Sequence, residues 1–251
     1  MRYFILTVIL TILCPNGHSI AAMHKPCKEG YILMFSAPEK YQSFFDVGPL
    51  KCVKKVNYFK EIAFPFEFNT KVRCVQGAGA LMRSHSREDS YYAVYLISES
   101  KKSLIHAADD GVVSIFYKCS SSKQEDVLDN CNYGFGNTVK VLHKDGTIAL
   151  YAHLSEIFVE NNQTVSKNQI IAREGSSGNA GETHLHFALY DPENSKSFFY
   201  NKDTYAKSIP YKFKILFSNN QNISFSLGPQ ELPCNTNNSN RGDIFIQGAK
   251  E

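Results

Sequence analysis

The chain has no tryptophan, no sustained helical period, no Cys-x-x-Cys pair and no long apolar run beyond its first residues. Each absence excludes something. Without a 3.6-residue period the chain is not a helical bundle. Without closely spaced cysteines, metal binding through a zinc knuckle is not expected. Without a long apolar run past residue 22, no stable membrane span is expected after signal removal. Excess charge is scarce too: 27 Lys and Arg face 24 Asp and Glu, a net of +3. That balance gives no nucleic-acid footprint, although a mild basic excess suits an anionic cell-wall or membrane surface. What is present is 18 Phe and 14 Tyr in 251 residues. That is enough for one large or two small domains of a soluble, globular chain.

The N-terminus reads as an export signal. Arg2 is the only charge before Lys25, Phe4 to Leu13 is a short apolar run, and Ser19-Ile20-Ala21-Ala22 supplies small residues for cleavage. A signal peptide over 1–22 implies a secreted or periplasmic protein. Leu13 is too large to precede a lipidated cysteine, so Cys14 is not read as a lipid attachment site. Its removal leaves Cys27, Cys52, Cys74, Cys119, Cys131 and Cys234. An even set in an exported chain implies up to three disulfides. Cys119 and Cys131 bracket a polar stretch and are suited to staple it; the other pairings stay open.

Short runs rich in Val, Ile, Tyr and Phe predict strands. They lie at 72–75, 91–97, 111–117, 138–143, 147–153, 169–172 and 184–190, with others near 31–35 and 211–226. Lys144-Asp145-Gly146 predicts a hairpin turn, because Asp-Gly tolerates the positive φ such a turn needs. Leu154 to Val159 is read as a short helical turn. The class is all-β with antiparallel strands. We divide the chain into a signal (1–22), an irregular N-terminal extension (23–62), a main domain (63–200), a C-terminal β extension (201–234) and a flexible tail (235–251).

Among eight histidines, four carry the argument. His184-Leu185-His186 places two imidazoles on one face of a strand, with Leu185 and Phe187 turned into a core. The glycine-rich stretch Gly175 to Gly181 precedes them. His85 and His153 also lie near strand ends, where sites gather. His106 and His143 read as structural.

From about Phe64 to Pro192 the chain resembles the lysostaphin-type (LytM-type) zinc metallopeptidases, which cut peptides of bacterial peptidoglycan. The likeness runs through Asp110-Gly111-Val112-Val113, Gly136 to Gly146, Tyr151-Ala152-His153-Leu154-Ser155, Gly175-Ser176-Ser177-Gly178 and His184-Leu185-His186-Phe187. It implies an antiparallel β-sandwich groove holding Zn2+ through a His, an Asp and a second His. The matching ligands are His85 and His186. His153 and His184 flank the open position, polarising the attacking water and stabilising the tetrahedral intermediate, with the metal lowering the pKa of that water.

The family's aspartate is missing. Its strand reads Tyr-Ala-(Val/Leu)-Asp-Phe, whereas this chain reads Tyr92-Ala93-Val94-Tyr95-Leu96. A neutral phenol is a poor zinc ligand near pH 7, and the loss of one ligand lowers affinity by several kcal/mol. His85-Ser86-Arg87-Glu88-Asp89 offers Asp89, or Glu88, as a substitute from the loop. Two main readings follow. One is an exported peptidoglycan endopeptidase with Asp89 or Tyr95 completing the zinc site. The other is a non-catalytic module that binds peptidoglycan peptides or regulates a partner cell-wall hydrolase, with zinc weak or absent. A secreted protein acting on other substrates is a third.

Overall fold

The computed structural model describes residues 27–36, 48–54, 59–67, 70–78, 84–120, 131–191, 193, 199, 206–216, 222–225 and 244–246. The signal segment and Cys234 lie outside these.

The described chain is almost entirely strand. In order come β1 (Tyr31–Phe35), β2 (Leu50–Lys54), β3 (Lys60–Ala63), β4 (Lys71–Gln76), β5 (Val94–Ser98) and β6 (Leu104–His106). Then follow β7 (Gly111–Phe116), β8 (Thr138–His143), β9 (Ile148–Ala152), β10 (Glu156–Ile157) and β11 (Thr164–Val165). The series closes with β12 (Ile170–Arg173), β13 (Leu185–Tyr190), β14 (Tyr211–Leu216), β15 (Asn222–Phe225) and β16 (Ile244–Ile246).

An eight-stranded sheet in the order β11-β7-β8-β9-β13-β5-β4-β16 forms the frame. Every neighbouring pair in it is antiparallel. Two three-stranded sheets, β10-β12-β6 and β15-β14-β3, accompany it. The β14–β3 pair is parallel, unlike the other strand pairs among the described residues.

Period-two alternation sorts the side chains. Val113, Val139, Val141, Ala149, Tyr151, Val94, Leu96, Leu185, Phe187 and Leu189 point to one face of the main sheet. There they meet Ile62 and Phe213 from one small sheet and Ile105 and Ile171 from the other. Each large apolar side chain buried here contributes about 1.5–3 kcal/mol. The opposite face buries Ile148, Leu150, Ala152, Ala188 and Tyr190, and on it lie the histidines.

The Asp-Gly turn forms as expected, with Gly146 at φ +85. Beside it Lys60 is buried, and its Nζ meets Asp109 Oδ2 at 3.0 Å, Asp145 Oδ2 at 2.9 Å, Thr147 Oγ1 at 3.0 Å and His143 Nδ1 at 3.2 Å.

Three local readings change. The stretch 154–159 holds the two-residue strand β10 instead of a helical turn, because Glu156 and Ile157 pair with Arg173 and Ala172. Residues 244–246 of the expected flexible tail pair with β4 as its edge strand. The N-terminal extension contains a regular hairpin, β1–β2, stapled by Cys27–Cys52. Cys119 and Cys131 are bonded as expected, and Cys74 is disulfide-bonded as well.

Candidate metal and catalytic site

The site is assembled from a strand face and three loops. His186 pairs across the sheet with Tyr95 on one side and Ala152 on the other, so Tyr95 and His186 project from the same face. His153 follows β9 directly. It is a non-glycine residue at φ +64, a conformation that persists only where its surroundings over-determine it. Here its N–H donates to Phe135 O at 2.9 Å, and the next N–H, of Leu154, donates to Asn137 O at 3.1 Å.

The glycine-rich stretch forms that frame. Gly178, at φ +71, lies so close to the 134–136 loop that an added Cβ would come within 2.4 Å of Gly136 N. Ser177 Oγ accepts from Asn137 N and donates to Leu154 O. The buried Asn137 amide also bridges to Cys119 in both directions. His184 is tied to the same stretch, its N–H donating to Gly175 O at 3.0 Å.

His85 lies in a short 3-10 turn, Ser84–Ser86. The segment after it is clamped from several sides. Glu88 N donates to Phe35 O of β1, and the Glu88 carboxylate pairs with Lys51 of β2 at 2.9 Å. The N–H and hydroxyl of Ser208 both donate to Glu88 O at 2.9 Å. Arg87 donates from Nε and Nη2 to the two oxygens of Asp89, at 2.9 and 3.2 Å.

Four imidazoles and one phenol therefore gather on the sheet. Ring centroids lie 5.5 Å apart for His85 and His186, and 4.6 Å for His153 and His184. Tyr95 lies among them, 4.3 Å from His85, 4.5 Å from His184, 5.1 Å from His186 and 6.5 Å from His153. Phe135 packs edge-on to His186 at 5.4 Å. His85, His153 and His186 have no exposed surface, and His184 has 6%. Tyr95 is half-buried and forms the outward part of the cluster.

The protonation pattern follows from the partners. The Nδ1 atoms of His85, His153 and His184 donate to Gly77 O, Ser177 O and Glu182 O, at 3.2, 2.9 and 2.8 Å. A carbonyl only accepts, so in the neutral ring each Nε2 is left as a lone pair. Burial pushes the His85 pKa down to about 3, against the opposing pull of the Gly77 carbonyl. Burial also holds His186 well below its ordinary value, aided by the neighbouring histidines and Arg87. His85 Nε2 and both nitrogens of His186 are buried with no hydrogen-bond partner among the described residues.

These orphaned nitrogens suit a metal. Two imidazoles sharing one tetrahedral zinc bring their centroids to roughly 5 Å, near the 5.5 Å between His85 and His186. The rest of a zinc centre does not follow. Position 95, beside His186, carries a phenol. Both oxygens of Asp89 accept from Arg87, whose positive charge also opposes a cation near these rings. Among the described residues no group of three His, Cys, Asp or Glu is placed to hold a metal. The residues present do not fit a three-ligand zinc centre with a carboxylate.

Residues 91–198 match the family model described as Peptidase family M23. Over that stretch the chain is similar to peptidase family M23. The matched span contains Tyr95, His153, His184 and His186, and leaves His85 and Asp89 just ahead of it. The chain is 40% identical over 55 residues to the cell division protein DipM of Caulobacter vibrioides. It is 39% identical over 56 residues to outer membrane antigenic lipoprotein B of Histophilus somni. Each alignment covers 22% of this chain, and they span 9% and 16% of the relatives' own lengths. Among solved structures, lysostaphin of Staphylococcus simulans is 25% identical over 55% of this chain and 47% of that one, with a TM-score of 0.40.

Sequence reasoning missed the shell of this site. Arg87, Phe135 and Ser208 carry no motif signal, and Asn137 and Ser177, though inside the quoted motifs, were given no role, since their roles depend on which loops meet. Asp89, which the sequence offers as a loop ligand, accepts from Arg87 through both oxygens instead.

Proposed function

We propose that the chain is an exported, non-catalytic M23 module that binds peptidoglycan peptides in the groove over the His184–His186 face. It would act beside a partner cell-wall hydrolase. The single observation that carries this reading is Tyr95, whose ring packs within 5.1 Å of His85, His184 and His186 at the position of the family's carboxylate. A module limited to about 63–200, extended by 201–234, belongs to the same proposal. The names of the relatives, a cell division protein and outer membrane lipoproteins, support an envelope setting.

The test is co-sedimentation of the full mature chain with purified peptidoglycan, while released amino groups are followed with added zinc and with chelator. Binding without chelator-sensitive release supports the module. Chelator-sensitive release would replace it with the second reading, a zinc endopeptidase in which His153 and His184 polarise water and steady the oxyanion. The fixed Nδ1–H tautomers of these two histidines favour that alternative. Absence of binding sinks both.

A further inference from the structure

The face that carries the histidines continues past Tyr95 toward β4. Side chains alternate along β5, so Ile97 stands on the same face as Tyr95, about 7 Å further along the strand. Arg73 of β4 pairs with Ile97 and turns to that face as well. A cavity of about 420 Å³ opens there, and Lys71, Arg73, Ile97, Glu99 and Lys101 are among the residues that line it. Three cations thus share the cavity with one carboxylate. Two of the cations hold weak surface pairs, Lys71 with Glu99 at 3.5 Å and Lys101 with Glu182 at 3.7 Å. Arg73 has no carboxylate partner among the described residues. The rim also reaches the histidines, because Glu182 O accepts from His184 Nδ1 at 2.8 Å.

We propose that this cavity is a subsite for the free terminal carboxylate of a bound peptide, with Arg73 as its main receptor. The inference rests on the reading of the histidine face as a peptide groove, and it names the part of the peptide that lies at the β4 end. A guanidinium presents paired N–H groups in one plane, which match the two oxygens of a carboxylate, and such charge-assisted pairs are roughly twice as strong as neutral ones. The Lys71 and Lys101 side chains are half-exposed, so they leave their present partners at little cost and add charge at the rim. Ile97 supplies an apolar floor for a small side chain next to that carboxylate. A bare polyanion would gain from the cations and not from the floor. With strands about 5 Å apart, the Arg73 backbone lies about 8 Å from that of Tyr95. An extended peptide covers this distance in about two to three residues, so a peptide lying across the histidines reaches the cavity with its end.

The test is calorimetric titration of the full mature chain with a soluble peptidoglycan stem peptide. Every carboxylate of the peptide except the terminal one is amidated, and the terminal one is either free or amidated too. The free acid should bind at least about tenfold more tightly than the amide, and the gap should narrow at high salt. Arg73→Gln should bring the acid down to the level of the amide and leave the amide unchanged. Arg73→Lys, which keeps the charge and loses the paired donors, should keep only part of the gap. Circular dichroism reports whether these variants fold. Should Arg73→Gln fail to fold, Lys101→Gln at the exposed rim reads the same gap and should narrow it roughly twofold. Equal binding of acid and amide overturns the proposal, as does a gap that survives Arg73→Gln or, in its place, Lys101→Gln. Failure of both peptides to bind overturns it as well. Co-sedimentation with intact peptidoglycan separates the two readings: it persists if only the carboxylate subsite is wrong and is lost if the groove reading is wrong.

Discussion

His143 ends β8 beside Lys60, and there the buried polar groups find each other. The ammonium is met by two carboxylates, a hydroxyl and a ring nitrogen within 3.2 Å. On the other face of the same sheet, His85 and His186 stand 5.5 Å apart with three ring nitrogens bonded to nothing among the described residues. Both places bury histidines, and burial depresses the pKa in both. The Lys60 group ties β3 to the β8–β9 hairpin and leaves one ring nitrogen, His143 Nε2, without a partner among the described residues. The site has an equally well-built frame, in Asn137, Ser177 and Gly178, around a centre that is not satisfied. Buried polar groups that serve only stability are normally paired; single unpaired atoms occur elsewhere, but at this centre all four imidazoles carry one or more, which is why function is sought there.

The frame gives the largest expected effect. Gly178→Ala would force a Cβ within 2.4 Å of Gly136 N and 2.6 Å of Gly134 O, at a φ of +71. Urea unfolding should show a loss of about 4 kcal/mol or more; a loss below about 1 kcal/mol would mean the two loops are not locked together.

Lys60→Met breaks the network around Lys60. It leaves Asp109 and Asp145 without their cation, but both are about a third or more exposed, so water takes up part of the loss. The expected cost is about 2–3 kcal/mol, below the figure for a fully buried pair. A neutral result would erase the contrast between the two clusters.

Acid provides the third test. Folding depresses His85 to about 3 and His143 to about 4, from the 6.5 usual for an exposed imidazole. Such groups stabilise the fold above pH 6.5 and lose that contribution as pH falls toward their folded values. Stability should fall between pH 6.5 and 4, by at most about 1.4 kcal/mol per unit for each histidine. Denaturant midpoints at several pH values measure this, and the slope should shrink in Lys60→Met, because Lys60 helps depress His143.

His186→Leu gives the smallest change. It removes two orphaned nitrogens and keeps an apolar side chain of similar size, so stability should stay within about 1 kcal/mol of the parent or rise. A loss as large as that of Lys60→Met would show that His186 is bonded after all.

Much of this was legible in the chain. The alternation of His184, Leu185, His186 and Phe187 foretold one ring face and one core face, and Leu185 and Phe187 are fully buried. Asp145-Gly146 marked its hairpin, and Cys119–Cys131 marked a local staple. The short strands β6, β10 and β16 were not legible, because two or three residues carry too little pattern. Their identity rests on partners distant in sequence, such as Arg73 for Ile244. Asp89 looked available in one dimension, and the fold of its own loop gave it to Arg87. Tyr95 was visible as a substitution; that its ring rests against three histidines required the fold.

We expect the residue at position 95, beside His186, to decide whether His85 and His186 retain zinc. Zinc content after dialysis of the parent chain and of Tyr95→Asp tests it directly. We expect well under one zinc per chain in the parent and about one in Tyr95→Asp, the ligand count of a three-residue site. A parent chain that already carries one zinc, or a Tyr95→Asp variant that folds and carries none, would contradict it.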